Sequence, residues 1–274
     1  MTDTPSPLGT IFDEDAELYD KVRPTYPPEL LDDIGDLAGL TPASRVLEIG
    51  CGTGQATVAL AERGYGVVAL EPGASMAEVA RRKLGRFPNV RVVESAFEAW
   101  PLPDRPFDAV VAATSFHWVD RALRVTKAAD ALRIGGAVAI ISTHHVAGGD
   151  TVFFNQAQAC YERFDPATPP GLTLPPESEI PSKVDELEHS TRFGSVTVRR
   201  YGWEKTYSAA EYTELLMSYS GHRALERRAR RGLLDCIEQL INERFGGSIT
   251  KRYLFQLGVA KRIRSSRRPG GRAE

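Results

Sequence analysis

The chain has 274 residues, 42% of them hydrophobic and 26% charged, which is the balance of an ordinary globular protein rather than a disordered or fibrous one. Its formal net charge of −2 excludes a polycation, and no run approaches the ~20 consecutive apolar residues of a membrane helix. The polar opening Met1–Pro7 lacks the basic-then-apolar layout of a secretory signal, and Cys51, Cys160 and Cys236 are scattered, so a reduced, cytoplasmic setting without disulfides or zinc is expected.

Charge is unevenly distributed. Residues 192–268 carry 17 Lys and Arg against 7 Asp and Glu, while the first 191 residues carry 16 against 28. A basic C-terminal third is one signature of RNA binding. Much of the excess, however, lies in Arg227-Arg228-Ala229-Arg230-Arg231 and in Arg262–Arg268, as expected of a solvated helix face and a frayed tail.

In chain order, a disordered leader precedes two helices, Asp13–Asp20 and Pro28–Ala38. Strand and helix patterns then alternate: strand Val46–Ile49, helix Ala56–Arg63, strand Val67–Leu70, helix Ser75–Leu84 capped at Ala74 or Ser75, and strands Val90–Glu94 and Phe107–Ala113. Helix Ala122–Ala131 and strand Ala137–Ser142 follow. The strands are nearly continuous Val/Ala/Ile runs, as in a parallel sheet covered on both faces. After Ser142 the rhythm changes to helix Thr151–Arg163, a Pro-rich loop over 165–181, strand Val196–Tyr207, helices Ala209–Tyr219 and Ala224–Phe245, and a last strand near Thr250–Val259. The expected architecture is an α/β, Rossmann-like, doubly wound and mostly parallel seven-stranded sheet. An antiparallel C-terminal edge hairpin and a helical cap complete it. Residues 1–40 read as N-terminal helices forming a lid, 41–150 as the cofactor-binding core, 151–265 as the last strands with the inserted cap, and 266–274 as a disordered tail.

The most telling stretch is Val46-Leu47-Glu48-Ile49-Gly50-Cys51-Gly52-Thr53-Gly54-Gln55, a strand running into a glycine turn. A dinucleotide-binding turn asks for Gly-x-Gly-x-x-Gly, but here the third glycine is Gly54 and Gln55 takes the spaced position. Glu48 beside the turn repels a pyrophosphate and suits a ligand carrying a sulfonium and an α-ammonium. Glu71 stands 21 residues after Gly50, where a carboxylate accepts hydrogen bonds from ribose hydroxyls. Together these point to S-adenosylmethionine (SAM) rather than NAD.

These residues resemble the first motif of class I SAM-dependent methyltransferases. Further stretches resemble the small-molecule branch known as the type 11 methyltransferase domain: Tyr19–Pro27, Glu71–Met76, Ser95–Glu98, Phe107–Val111, Phe116–Trp118 and Leu132–Gly136. The resemblance covers roughly residues 15–142. It implies that Glu48 and the backbone of Gly50, Cys51, Gly52 and Gly54 cradle the methionyl part of SAM, that Glu71 holds the ribose, and that Pro72 and Met76 flank the adenine. Ser95, Ala96 and Phe97 would reach the adenine edge and face, Ser95 standing where the family more often has Asp, and Thr114 would approach the methionyl end.

Methyl transfer needs alignment and exclusion of water, and a base only when the nucleophile must lose a proton. His117, after the fourth strand, is the base candidate, with a structural or cofactor-contacting role as the alternative. Tyr19, Arg23 and Tyr26 are expected to close over the cofactor, with ordinary helix packing as the alternative, and Trp118 to wall the acceptor. His144 and His145 face the same edge, and no metal site is expected. The stretch Thr114-Ser115-Phe116-His117 stands where enzymes acting on exocyclic base amines carry Asn/Asp-Pro-Pro-Tyr, which argues against that nucleic-acid class. The expected function is methyl transfer from SAM, releasing S-adenosylhomocysteine, to O, N or C of a small-molecule acceptor. The alternatives are an RNA or protein methyltransferase and a SAM-binding module without turnover.

Overall fold

A computed structural model describes residues 15–182 and 184–264. The expected leader, the first residues of the 13–20 helix and the tail 266–274 lie outside the described residues. Seven strands form one sheet: β1 (Arg45–Ile49), β2 (Gly66–Glu71), β3 (Val90–Glu94), β4 (Phe107–Ala113), β5 (Leu132–Gly149), β6 (Phe193–Ser208) and β7 (Ser248–Arg262), in the order β3-β2-β1-β4-β5-β7-β6. β1 to β5 pair in parallel, and β7 runs antiparallel between β5 and β6. The order reverses between β1 and β4, so their carboxyl ends open the crevice in which ligands of doubly wound folds bind.

The helices are α1 (Ala16–Val22), α2 (Pro28–Ala38), α3 (Gln55–Glu62), α4 (Ala74–Leu84), α5 (Arg124–Ala131), α6 (Thr151–Phe164), α7 (Asp185–Glu188), α8 (Ala209–Met217), α9 (Ser220–Ala224) and α10 (Arg227–Arg244). Local chemistry sets their ends. Pro28 occupies the first turn of α2, where its missing N–H costs nothing, and Gly39 in the left-handed region stops that helix. Ser208 and Glu211 form a reciprocal capping box that starts α8 where β6 ends. The Glu226 carboxylate accepts the N–H groups of Arg228 and Ala229 and so starts α10.

Strand alternation divides the core. Odd residues of β5 (Ala137, Ala139, Ile141) and β7 (Tyr253, Phe255, Leu257) face α2, α3 and the helices α6, α8 and α10. Val138 and Ala260 face the other side, with Ala128, Ala129 and Ala131 of α5 and Leu187 of α7. Leu30 and Ile34 of α2 are fully buried on the first face, each contributing about 1.5–3 kcal/mol of burial.

Four expectations need correction. β5 extends from Leu132 to Gly149, well past Ser142, because β7 pairs with Thr143, His144 and His145 beyond the end of β4. α4 is capped by Gly73 without any side-chain hydrogen bond, in place of Ala74 or Ser75. The helix expected from Ala224 starts at Arg227, with a separate short helix over Ser220–Ala224. Finally, Cys160 on α6 and Cys236 on α10 form a disulfide, contrary to the disulfide-free reading; the packing of α6 on α10 brings together two cysteines 76 residues apart. Cys51 is the free, buried cysteine.

Candidate active site

The glycine turn leaves β1 through three left-handed residues, Gly50 (φ 64°), Gly52 (φ 57°) and Gly54 (φ 87°). Glycine is needed at Gly50 for space as well as conformation, since a Cβ there would come within 2.7 Å of the Ser115 Cβ. Ser115 in turn donates its hydroxyl to the Ile49 carbonyl, so the loop after β4 packs directly on the turn. Glu71, at the end of β2, accepts the Gly52 N–H at 2.8 Å with Oε2 and the Gly73 N–H at 2.9 Å with Oε1. It thereby fastens the two loops at the crevice, while a carboxylate oxygen has the lone pairs to accept a further donor.

Glu48 is 1% exposed, and its Oε2 is sealed from solvent without a hydrogen-bond partner. Burial is the main cause that raises its pKa to about 7; the neighbouring Thr57 hydroxyl opposes the shift and the Glu71 charge adds to it. An unpartnered buried carboxylate oxygen beside a left-handed glycine turn fits a cationic ligand group and disfavours a pyrophosphate.

α1 lies over this turn. Asp20 Oδ1 accepts from Thr53 Oγ1 at 2.7 Å and from Lys83 Nζ at 2.6 Å. A Cβ on Gly52 would meet Met76 Cε at 3.7 Å and Tyr19 Cε1 at 3.9 Å, so both side chains close above the glycine. Arg23 sits between the rings of Tyr19 and Tyr219, 4.7 and 4.4 Å from their centroids, and donates to the Ser218 carbonyl at 2.6 Å. α1 thus joins the glycine turn to the end of α8, and Lys21 paired with Glu214 at 2.7 Å adds a second tie.

Ser95 is fixed next to Glu71 through its N–H, which donates to the Glu71 carbonyl at 3.0 Å. Pro72 is exposed and Ala96 half-buried. Phe97 is 2% exposed and packs in the α5-side core, with the Lys127 ammonium 5.3 Å from its ring centroid.

Thr114 has φ 58°, an uncommon conformation for a β-branched residue and a mark of local strain. Its hydroxyl lies 2.9 Å from that of Thr143 and 3.4 Å from that of Tyr26. Burial raises the Tyr26 pKa, keeping its hydroxyl protonated. On the α5 side a cleft of about 560 Å³ is lined by Thr114, Phe116, His117, Ser142 and His144, with Val184–Leu187 opposite. His117 is exposed in a 3-10 turn, its ring 4.9 Å from that of Trp118, which is 44% exposed. On the opposite, cap-facing side His145, Tyr219, Tyr253 and Lys251 cluster together.

Alternation explains this separation of the two histidines: His144 faces the cleft while His145 turns to Tyr219 and Tyr253, 5.5 and 5.6 Å away between ring centroids. His145 remains exposed, but dense surrounding protein lowers its pKa to about 3, with the Lys251 and Arg23 charges adding to the shift. Lys251, beside these rings, was not singled out by motif reading. The signal was present in Ile249-x-Lys251-x-Tyr253-x-Phe255-x-Leu257, where a lysine occupies an apolar alternation. Among the described residues, no group of three or more His, Cys, Asp or Glu is placed to hold a metal ion, and no helix is long and apolar enough to cross a membrane.

A doubly wound sheet with a glycine turn and a strand-end carboxylate at its reversal point defines an α/β protein whose crevice lies where ligands of such folds bind. Residues 46–136 match the sequence profile of a methyltransferase domain, so the doubly wound core of the chain carries such a domain. An uncharacterised methyltransferase of Mycobacterium tuberculosis is 37% identical over 143 residues, covering 52% of this chain and 55% of its own. The chain therefore matches about half the length of such curated relatives. A protein of Anaeromyxobacter dehalogenans, described provisionally as a type II methyltransferase, has a similar fold with a TM-score of 0.61 at 23% identity, over 88% of this chain and 98% of that one. A phosphoethanolamine N-methyltransferase of Haemonchus contortus, solved with phosphomonomethylethanolamine and S-adenosylhomocysteine, shares the fold at a TM-score of 0.53 and 14% identity, over 92% of this chain and 58% of that one.

Proposed function

We propose that the chain binds SAM at the glycine turn and methylates an O, N or C atom of a small molecule. The observation that carries this reading is the pair of strand-end carboxylates: Glu48, with a buried unpartnered oxygen, and Glu71, fastened to Gly52 and Gly73. Glu48 and the Gly50–Gly54 backbone would hold the methionyl part, Glu71 the ribose, and Pro72, Met76, Ser95 and Ala96 the adenine. When bound, SAM supplies a sulfonium methyl open to in-line displacement. The chain's own task is to orient and to exclude water, for which α1 is placed over the turn. His117, exposed and lining the cleft, would take a proton from an acceptor that must lose one.

Titration calorimetry of the full chain with SAM, S-adenosylhomocysteine and NAD tests the donor. Binding of the first two, lost in Glu71→Ala, is expected; tight NAD binding with no SAM binding overturns the reading. Release of S-adenosylhomocysteine across a panel of small acceptors tests turnover, and binding without turnover across a broad panel favours a SAM-binding module.

A further inference from the structure

The cap-facing cluster of His145, Tyr219 and Tyr253 contains a cation that the proposed donor site does not use. Lys251 is 6% exposed on β7, its ammonium 4.6 Å above the Phe154 ring and 5.6 Å from that of Tyr253. It makes no ion pair or hydrogen bond among the described residues. Its ammonium is nevertheless not among the atoms sealed from solvent, as Glu48 Oε2 is. Lysine is rarely buried without a partner, because desolvating an ammonium is costly unless a counter-charge is supplied. Among the described residues nothing supplies one. Burial alone lowers the Lys251 pKa, to about 8, with no carboxylate offsetting it.

The described groups around it carry no negative charge near neutral pH. Dense surrounding protein holds His145 down to about 3, and burial holds His222 down to about 4, so both are neutral near pH 7, and His222 Nε2 is hydrogen-bonded to the Tyr161 hydroxyl at 2.9 Å. Tyr253 is paired with the Tyr207 hydroxyl at 2.9 Å. The cluster also lies on the path from the strained Thr114. Thr143, the hydroxyl partner of Thr114, pairs across β5 and β7 with Phe255, His145 pairs with Tyr253, and Lys251 follows two residues further on the same face. Four residues of strand from Phe255 to Lys251 span about 14 Å, and the lysine side chain shortens the remaining gap.

We propose that Lys251 is the counter-charge for an oxyanion, carboxylate or phosphate, carried by the methyl acceptor at the end remote from the methylated atom. The inference rests on the methyltransferase reading and adds the acceptor's chemical class to it. Aromatic walls from Phe154, Tyr219 and Tyr253 favour an oxyanion attached to a flat or apolar body.

The test is calorimetry of the full chain saturated with S-adenosylhomocysteine, using benzoate, phenyl phosphate and the neutral isostere benzamide as probes. Benzoate or phenyl phosphate is expected to bind while benzamide is not, and the tighter of the two identifies the oxyanion. Lys251→Met should weaken that binding by at least about tenfold, and Lys251→Arg, which keeps the charge, should hold it within about threefold. Circular dichroism and thermal melting confirm that each variant is folded; removing an uncompensated buried charge should leave Lys251→Met at least as stable as the parent. Equal binding of benzamide, no binding of either anion, or unchanged affinity in Lys251→Met overturns the proposal. Failure of S-adenosylhomocysteine to bind the unaltered chain instead strikes the donor reading, and is scored separately by repeating the anion titration without it.

Discussion

At the scale of single residues, Glu48 makes the donor site measurable without knowledge of the acceptor. An unfolded glutamate loses its proton near pH 4.5, whereas burial keeps the folded one until about 7. Between those values the native state binds more protons than the unfolded one, so stability falls as pH rises through this window and stays reduced above it. A shift of this size corresponds to roughly 3 kcal/mol. Glu48→Gln should therefore be more stable than the parent at pH 8 and nearly equal to it at pH 5, as read by urea unfolding at both values. The same substitution should weaken SAM binding at least about tenfold. A ligand cation at Glu48 would also release its proton, so near pH 6.5 the binding enthalpy should depend on the ionisation enthalpy of the buffer in the parent and not in Glu48→Gln. Loss of stability at pH 8, or buffer-independent binding, removes Glu48 from the donor site. For His117 the corresponding expectation is kinetic: His117→Ala should lower kcat about a hundredfold for acceptors that deprotonate, with SAM affinity intact, and an unchanged kcat rules it out as the base.

At the scale of elements, α1 is a clamp whose jaws are Asp20 on the glycine turn and Arg23 on the end of α8. Arg23 combines two aromatic faces with a hydrogen bond to a backbone carbonyl, a geometry that lysine does not reproduce. Arg23→Ala should loosen α1 by about 2 kcal/mol, seen as faster amide exchange over 16–27 and a higher KM for SAM. Slow exchange preserved in the variant would mean that α1 is held by packing alone. The expectation that Tyr19, Arg23 and Tyr26 close over a cofactor came from a stretch resembling the family, Tyr19–Pro27, and the structure sets Tyr19 near Gly52 and Tyr26 near Thr114. The course of β5 was less legible. Its apolar run ends near Ser142, and the polar continuation Thr143-His144-His145 is held as strand only by β7, more than a hundred residues later. For that reason His144 and His145 read as neighbours on one edge, when alternation sends them to different sides. Lys251 was missed for a related reason: its burial is set by Phe154 of α6 and by β5, which a local pattern does not reveal.

At the scale of the whole molecule, the parallel half of the sheet follows from short-range signals, namely continuous apolar strands separated by amphipathic helices, and these were readable in order. The cap is different, because α6 and α10 meet through residues remote in sequence, and the Cys160–Cys236 bond is the plainest product of that meeting. Closing a loop across a separation of 76 residues removes unfolded-state entropy worth up to about 4 kcal/mol. Reduction, or the double substitution Cys160→Ala with Cys236→Ala, should lower the urea midpoint accordingly. Cys51 should not interfere, since burial, reinforced by the Glu48 and Glu71 charges, raises its pKa well above the usual thiol value and keeps it unreactive in the native state. SAM binding should survive reduction, because the glycine turn and both carboxylates rest on β1, β2 and the loop after β4, none of which touches the bond. Anion binding at the cluster should weaken, because Phe154, which carries the Lys251 ammonium, lies on the same helix as Cys160. Reduction would then separate the two half-sites, with donor affinity unchanged and benzoate or phenyl phosphate affinity reduced. Equal losses in both would show instead that the cap and the sheet unfold as one unit.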